Sequence, residues 1–571
     1  MEGVKRWLMW IVLCTIVFGA ARAVALPEVC GPTTSAERRE AIDEGVGWIA
    51  RTQADSGRFL YRYDAATDEV VPGYVWIRHA GTMMALAQVV EAGLDTTGEA
   101  KRSLSLALDA AVERLSTATI DGEIRSGLRE GSYVSTGGTA LLLLAVTEGG
   151  IPEGDLAERL GRHILASVAP GPEGTSVILE QASRELVFVP GSVSRFTTGE
   201  AAFALARLER LQPGRGWGEP VPAILDYLSL HKADAEGFVP DMPDHWAAYA
   251  MAEMTRWSES SWNRIVGTDS VDFDDVHVAW ANKQMGMNSI MVRYESQRTN
   301  RGFDRWLRGR TSLGSAIGTH GEALGGWWDV AAADPDFAGV RGPLRDRLAC
   351  NASVVANRQI DAEEASSYSS PDAVRGSWLW FDITQVDDQQ HAVSALVAAE
   401  RILDAGGELP RRETLPHSWW MLVLAVVAIV NPARLTRARF RLGPWSVVIG
   451  IALLVFDGVI LRLLDVSVPT ALVAAGVVAI LGSLIGLIPR LGPPSSAVAL
   501  WRPEVIVLTV ASGGRPWAVA VGLVVAHVLS RTPPRSKRGV DASALVRLDV
   551  MWTLVAVAAG IALIVDGVYA V

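Results

Sequence analysis

The sequence predicts an all-α protein in two parts, a ring of helical hairpins followed by a multi-span helical membrane domain. Three observations carry this. A short apolar leader opens the chain, polar and apolar residues then recur at helical spacing over roughly the first three quarters, and long apolar runs dominate from Trp419 onward.

The leader has the layout of a secretory signal. Lys5 and Arg6 precede the apolar run Leu8–Ala20, and Ala23-Val24-Ala25 supplies a small-x-small ending, so cleavage is expected after Ala25. Leu13 stands before Cys14 where lipidation requires a small residue. After cleavage only Cys30 and Cys350 remain. Two cysteines in an exported domain point to one disulfide closing nearly the whole of residues 26–416. The formal charge of -11 is unevenly spread: residues 416–571 are net basic, which leaves the exported part near -20. Such a surface repels polyanions and excludes nucleic acid as a partner. Only five of the 52 basic residues are lysine, as GC-rich bacterial coding produces.

Within 26–416, six segments share a polar start followed by Ala, Leu and small residues. They begin near Arg78-His79-Ala80-Gly81, Thr136-Gly137-Gly138, Thr198-Gly199-Glu200, Asp244-His245-Trp246, His320-Gly321-Glu322 and Gln389-Gln390-His391. Before and between them lie second helices: Ser35–Gln53, Lys101–Leu115, Asp155–Ala166, Ala223–His231, Val276–Arg293 and Pro343–Asn357. Few strands are expected. Twelve helices in six pairs is the count of an (α/α)6 toroid, in which small residues let the inner helices approach. A Cys30–Cys350 bridge would join the two ends and favours a closed ring over an open solenoid.

The stretch Ser35–Leu403 resembles the six-hairpin glycosidase and terpenoid-cyclase superfolds. Gln53–Phe59, then Tyr61-Arg62-Tyr63-Asp64, then Arg78-His79-Ala80-Gly81-Thr82-Met83-Met84-Ala85-Leu86 resemble the opening of toroidal carbohydrate-active proteins, glucuronyl epimerase-like and glycosidase-like domains among them. The resemblance implies a toroid that binds and processes a glycan.

In such a ring the N-termini of the inner helices meet at one mouth and favour anionic groups there. The polar starts supply the candidate catalytic residues Asp244, His245, His320, Glu322, Asp387, Asp388 and His391. Candidate substrate-binding residues are Tyr61, Tyr63, Arg78, His79, Glu200, Trp246, Trp327 and Gln390. Four of the nine histidines fall at these starts; Asp at a helix start is equally an ordinary N-cap. Glycoside hydrolysis needs one protonated and one ionised carboxyl group, and adjacent Asp387 and Asp388 would repel, raising one pKa. Lyase or epimerase chemistry instead needs a base such as Tyr61, Tyr63, His79 or His245, with Arg78 on a uronate carboxylate. Trp76, Trp246, Trp327, Trp328, Trp378 and Trp380 could stack on sugar faces.

Asp272-Phe273-Asp274-Asp275 matches the acidic motif of class II terpenoid cyclases, but it opens an outer helix. Asp274-Asp275-x-His277 and Asp387-Asp388-x-x-His391 could ligate a cation, though neither spacing is a zinc signature. There is no phosphate loop, nucleophile elbow or nucleotide fingerprint, so which cofactor the protein uses, if any, stays open.

Expected spans are Trp419–Val430, Trp445–Leu464, Thr470–Ile488 and Met551–Ala570. Arg434, Arg437, Arg439 and Arg441, and later Arg531, Arg535, Lys537 and Arg538, set the cytoplasmic loops and place the toroid outside. Val505–Leu529, broken at Ser512-Gly513-Gly514-Arg515-Pro516, reads as a re-entrant pair of half-helices or as two tight spans, either of which fits the loop charges. Asp457 and Asp566 sit in echoing segments and suggest a membrane-protein partner. The expectation is therefore a membrane-anchored extracytoplasmic toroid acting on an envelope or exported glycan. A non-catalytic component of cell-surface assembly is the second reading and a terpenoid cyclase the third.

Overall fold

Thr34 and Glu37 form a capping box that starts the first helix: Thr34 Oγ1 accepts from Glu37 N at 3.2 Å, and Glu37 Oε2 accepts from Thr34 N at 2.7 Å. The structure, a computed structural model, describes residues 30–149, 155–233, 243–296 and 315–404. The expected leader, spans and broken segment lie outside them. Among the described residues no helix is long and apolar enough to cross a membrane.

The helices are α1 (Ser35–Thr52), α2 (Trp76–Glu91), α3 (Glu99–Val112), α4 (Thr136–Glu148), α5 (Leu156–Ala166), α6 (Thr197–Leu211), α7 (Val221–Leu230), α8 (His245–Met254), α9 (Glu259–Ile265), α10 (Asp275–Ser296), α11 (Ser315–Ala333), α12 (Arg341–Arg358) and α13 (Val386–Asp404). Each of α2, α4, α6, α8, α11 and α13 packs on the next, and α13 returns to α2. Outside this closed ring lie the outer helices: α1 against α13, α3 against α2, α5 against α4 and α6, α7 against α6, α10 against α11, and α12 against α11 and α13. The chain is an (α/α)6 toroid.

Close approach of inner helices rests on missing side chains. A Cβ added to Gly318, Gly321 or Gly325 of α11 would come within 2.6 to 2.8 Å of the Cβ atoms of His391, Ala395 and Ala398 on α13. Helix α4 is buried on nearly every side, as a helix apolar all round must be. Trp48, Trp262, Trp327, Trp378 and Phe203 are fully buried between the rings.

At the C-terminal ends of the inner helices a chain of ion pairs crosses the ring. Buried Arg207 reaches Glu91 at 2.8 Å, Glu148 at 3.5 Å and Glu253 at 2.7 Å. Arg256 joins Glu253 (3.4 Å) to Asp329 (2.8 Å), which Arg401 holds at 2.7 Å. Every inner helix contributes at least one carboxylate or guanidinium.

The strand content exceeds expectation. Sheet one has the order β2 (Glu69–Val70), β1 (Arg62–Asp64), β10 (Ile383–Gln385), β9 (Leu379–Trp380). Sheet two runs β3 (Leu115–Ile120), β4 (Glu123–Glu130), β5 (Tyr133–Ser135), β8 (Gln181–Ala182), and β6 (Val168–Pro170) pairs with β7 (Ser176–Ile178). The β3–β4 turn is Asp121-Gly122 with φ of 53° and 80°, the left-handed pair that a two-residue hairpin turn requires.

Cys30 and Cys350 are bonded, with Cα atoms 4.9 Å apart and 320 residues between them in sequence. Closing so long a loop removes much of the entropy of the unfolded chain. Replacing both cysteines with serine is expected to cost about 3–5 kcal/mol and to lower the calorimetric Tm by on the order of 5 °C. An unchanged Tm would show that the bridge adds nothing to a ring already closed by packing.

Candidate active site

The N-termini of the inner helices carry carboxylates from several sources. Asp244 caps α8, accepting from Trp246 N at 3.0 Å and Ala247 N at 3.2 Å. Glu130 accepts from Trp76 N and Ile77 N at the start of α2, and Glu180 accepts from Gly137 N in α4. These acceptors take up the free N–H groups and match the positive helix ends.

At the mouth, Glu322 of α11 is fully buried and one carboxylate oxygen faces two imidazoles. His391 Nδ1 lies 2.6 Å from Glu322 Oε2, and His245 Nε2 lies 4.0 Å from the same atom. The two rings stand edge to face with centroids 5.4 Å apart. Burial alone would lower the pKa of His391, but Glu322, its hydrogen bond, Asp387 and Asp388 outweigh that and raise it to about 9. His245 goes the other way. Burial, with His391, His320 and Lys232 nearby, holds it well below the usual imidazole value. One ring is thus held protonated and its neighbour neutral.

Around this pair the expected residues fall into place unevenly. Asp387 lies 3.8 Å from His391 Nε2 and 3.4 Å from Arg78 Nε; Arg78 also donates to Tyr61 OH at 2.8 Å. Trp246 packs on His245, with centroids 4.2 Å apart. His320 Nδ1 meets Asn288 Oδ1 at 2.9 Å, and burial lowers the His320 pKa to about 4. Asp244 is paired with buried Lys232. Burial, reinforced by Glu180 and Asp244, pushes the Glu200 carboxyl well above the usual range. Gly81 and Gly137 make room for side chains here: an added Cβ would sit 2.2 Å from Gln390 Oε1 and from Glu200 Oε2 respectively. His245 Nε2, Glu200 Oε2, Thr198 Oγ1 and Gln390 Oε1 are buried without a hydrogen-bond partner, as ligand-facing or hydrated atoms are.

Other expected residues lie elsewhere. His79 is enclosed by Phe59, Tyr74 and Trp76, with Nε2 at 2.9 Å from Ala107 O. Tyr63 bonds Asp68 beneath sheet one. Trp327 packs against Trp280 in the core. Asp387 and Asp388 do not form a facing pair: consecutive residues on a helix point about 100° apart, and Asp387 turns to Arg78 and His391. Sequence reasoning missed Lys232, Glu180 and Asn288, which reach the mouth from outer elements and a strand connection.

Among the described residues, two groups of side chains could hold a cation. The ligand atoms of His245, Glu322 and His391 lie within 4.8 Å of one another, as do those of Asp226, Asp274 and His277. The second group lies between outer helices beside a cavity of about 330 Å³. It includes one residue of the cyclase-like motif, Asp274, whose side chain is 61 % exposed.

No family model matches the chain, and no curated relative is found. It is similar to the solved structure of a GH76 α-mannanase of Bacteroides thetaiotaomicron, with 11% identity over 64% of this chain and 97% of that one and a TM-score of 0.41. It is also similar to a cellobiose 2-epimerase from Spirochaeta thermophila (14% identity, 65% and 97% covered, TM-score 0.43) and to a D-mannose isomerase (11% identity, 66% and 100% covered, TM-score 0.40).

Proposed function

We propose that the mouth of the toroid moves protons on a sugar, in an epimerase- or isomerase-type reaction. One observation carries this reading: two imidazoles share one buried carboxylate while their pKa values are driven apart, the arrangement that assigns an acid and a base. Neutral His245 takes the proton from a sugar carbon beside a carbonyl group. His391 gives its proton to the carbonyl oxygen, on which the electron pair comes to rest. Return of a proton to the opposite face of the carbon gives the epimer; return to the neighbouring carbon interchanges aldose and ketose. Glu200, kept uncharged, is placed to donate a hydrogen bond.

Hydrolysis fits less well. Asp244 is held by Lys232, Asp387 by Arg78, and Glu322 by His391, so these carboxylates are engaged rather than facing a bond to be cut. Arg78 is likewise occupied and is not offered to a uronate. Placement outside the cytoplasm, on a C-terminal membrane anchor with a membrane-protein partner, belongs to the same proposal. The leader, the arginine-rich loops and the disulfide support it.

The test is NMR detection of solvent deuterium entering carbon positions of a panel of hexoses and reducing oligosaccharides incubated with the full-length protein. Exchange at one carbon supports the reading. Cleavage of glycosidic bonds without exchange would make the protein a hydrolase, and binding without either would make it a holding module.

A further inference from the structure

Of the six tryptophans that could stack on sugars, Trp76, Trp246, Trp327 and Trp378 are buried and Trp328 is half-buried. Trp380 is 56 % exposed, and the adjoining Phe381 is 50 % exposed. Their ring centroids lie 5.3 Å apart at the tip of the β9–β10 hairpin. Phe381 has φ of 55°, a left-handed conformation that a bulky side chain rarely adopts and that a two-residue turn ordinarily gives to Gly or Asn. Backbone strain of this kind persists where function uses it.

The hairpin is firmly held. Gln389 Oε1 accepts from Trp378 N at 2.8 Å and Gln389 Nε2 donates to Trp378 O at 2.9 Å, while the Trp378 ring is fully buried. Strand β10 then runs directly into α13, the helix of Asp387 and His391.

The register of sheet one divides its faces. Leu379, Thr384 and Tyr63 are cross-strand neighbours and buried. The alternate row is Trp380, Ile383, Asp64 and Glu69, of which Trp380 and Glu69 are exposed and the other two half-buried. At about 4.8 Å per strand this row extends roughly 14 Å, the reach of an oligosaccharide rather than of one ring. It joins an aromatic ring, which takes the apolar face of a sugar, to carboxylates, which accept from hydroxyl groups and repel anions.

We infer that this outward row is a platform for a neutral glycan chain whose reducing end occupies the mouth. The inference rests on the proposed proton-transfer site and extends it, making the substrate an uncharged oligosaccharide instead of a free monosaccharide or a polyuronate. Trp380 and Phe381 cradle a sugar unit beyond the rim, while Glu69 and the Asp64 oxygen not taken by Ala66 N and Thr67 N bind hydroxyl groups along the chain.

The experiment is calorimetric titration of the full-length protein with unsubstituted hexose oligomers of one to six units, in α- and β-linked series, beside a polyuronate. His391→Asn serves as the background for all titrations, so binding is read without turnover. Affinity is expected to rise with length to about four units, and Trp380→Ala is expected to weaken the long oligomers about tenfold while leaving the monosaccharide unchanged. Phe381→Gly, which keeps the turn, should act in the same direction. Equal weakening at every length would reduce Trp380 to a structural role. Absence of length dependence, or a preference for the polyuronate, would overturn the platform. Trp380-dependent binding in a protein that shows no deuterium exchange would keep the platform and reject the proton-transfer reading.

Discussion

Replacement of His391 with asparagine is expected to lower the rate of deuterium exchange by about 10²–10⁴-fold, the contribution of a placed general acid. The pH profile separates catalysis from mere support. His391 acts while protonated and its pKa is about 9, so activity should hold through neutral pH and fall as pH rises through about 9. Glu322→Gln removes the charge that raises this pKa but leaves the burial that lowers it. The alkaline limb should then move to lower pH, with more activity retained near pH 6 than near pH 8. A limb that stays near 9 in Glu322→Gln would sink the assignment. The same raised pKa stabilises the fold fully below the unfolded imidazole value and ceases to do so as pH passes about 9.

Arg207→Met is expected to cost about 3–5 kcal/mol, because it strips the shared cation from three carboxylates, two of them buried. Burial already pushes Glu148 up to about 8, with Arg207 opposing that shift. A carboxyl whose folded pKa is raised binds its proton more tightly when folded, so the fold loses stability between the unfolded carboxyl value and about 8. Thermal unfolding of Arg207→Met should therefore show a larger deficit at pH 8 than at pH 5. Arg207→Met with Glu148→Gln should recover part of it. An equal deficit at both pH values would mean that lost packing, not stranded charge, sets the cost.

Much of the ring was legible because helical period and polar starts are local signals. All six inner helices and their outer partners lie where the apolar spacing places them. Rotation about the helix axis was less legible. Arg78 and His79 are neighbours in sequence, but one step on a helix turns by about 100°, and that step sends Arg78 to the mouth and His79 into an aromatic cage. His391 and Glu322 were visible as polar starts, whereas their pairing depends on which helices become neighbours and on three glycines that bring α11 and α13 together. Lys232 and Glu180 come from outside the inner ring, where no periodicity marks them. The hairpin at Asp121-Gly122 was a missed signal: β-branched alternation flanks a dipeptide suited to that turn.

The ring also constrains when the protein can become itself during synthesis. Its final inner helix packs between α11 and the much earlier α2, and buried Arg38 near the start meets Glu400 near the end at 2.9 Å. Until the ribosome has released α13, a nascent chain holds an open seam with the flanks of α2 and α11 uncovered. Contacts of such long sequence separation form late and slowly, and exposed apolar flanks invite aggregation. Maturation of this domain is thus a single closing event that waits for α13, Val386–Asp404, to emerge, and a truncation that removes α13 leaves an unfinished wall rather than a smaller barrel.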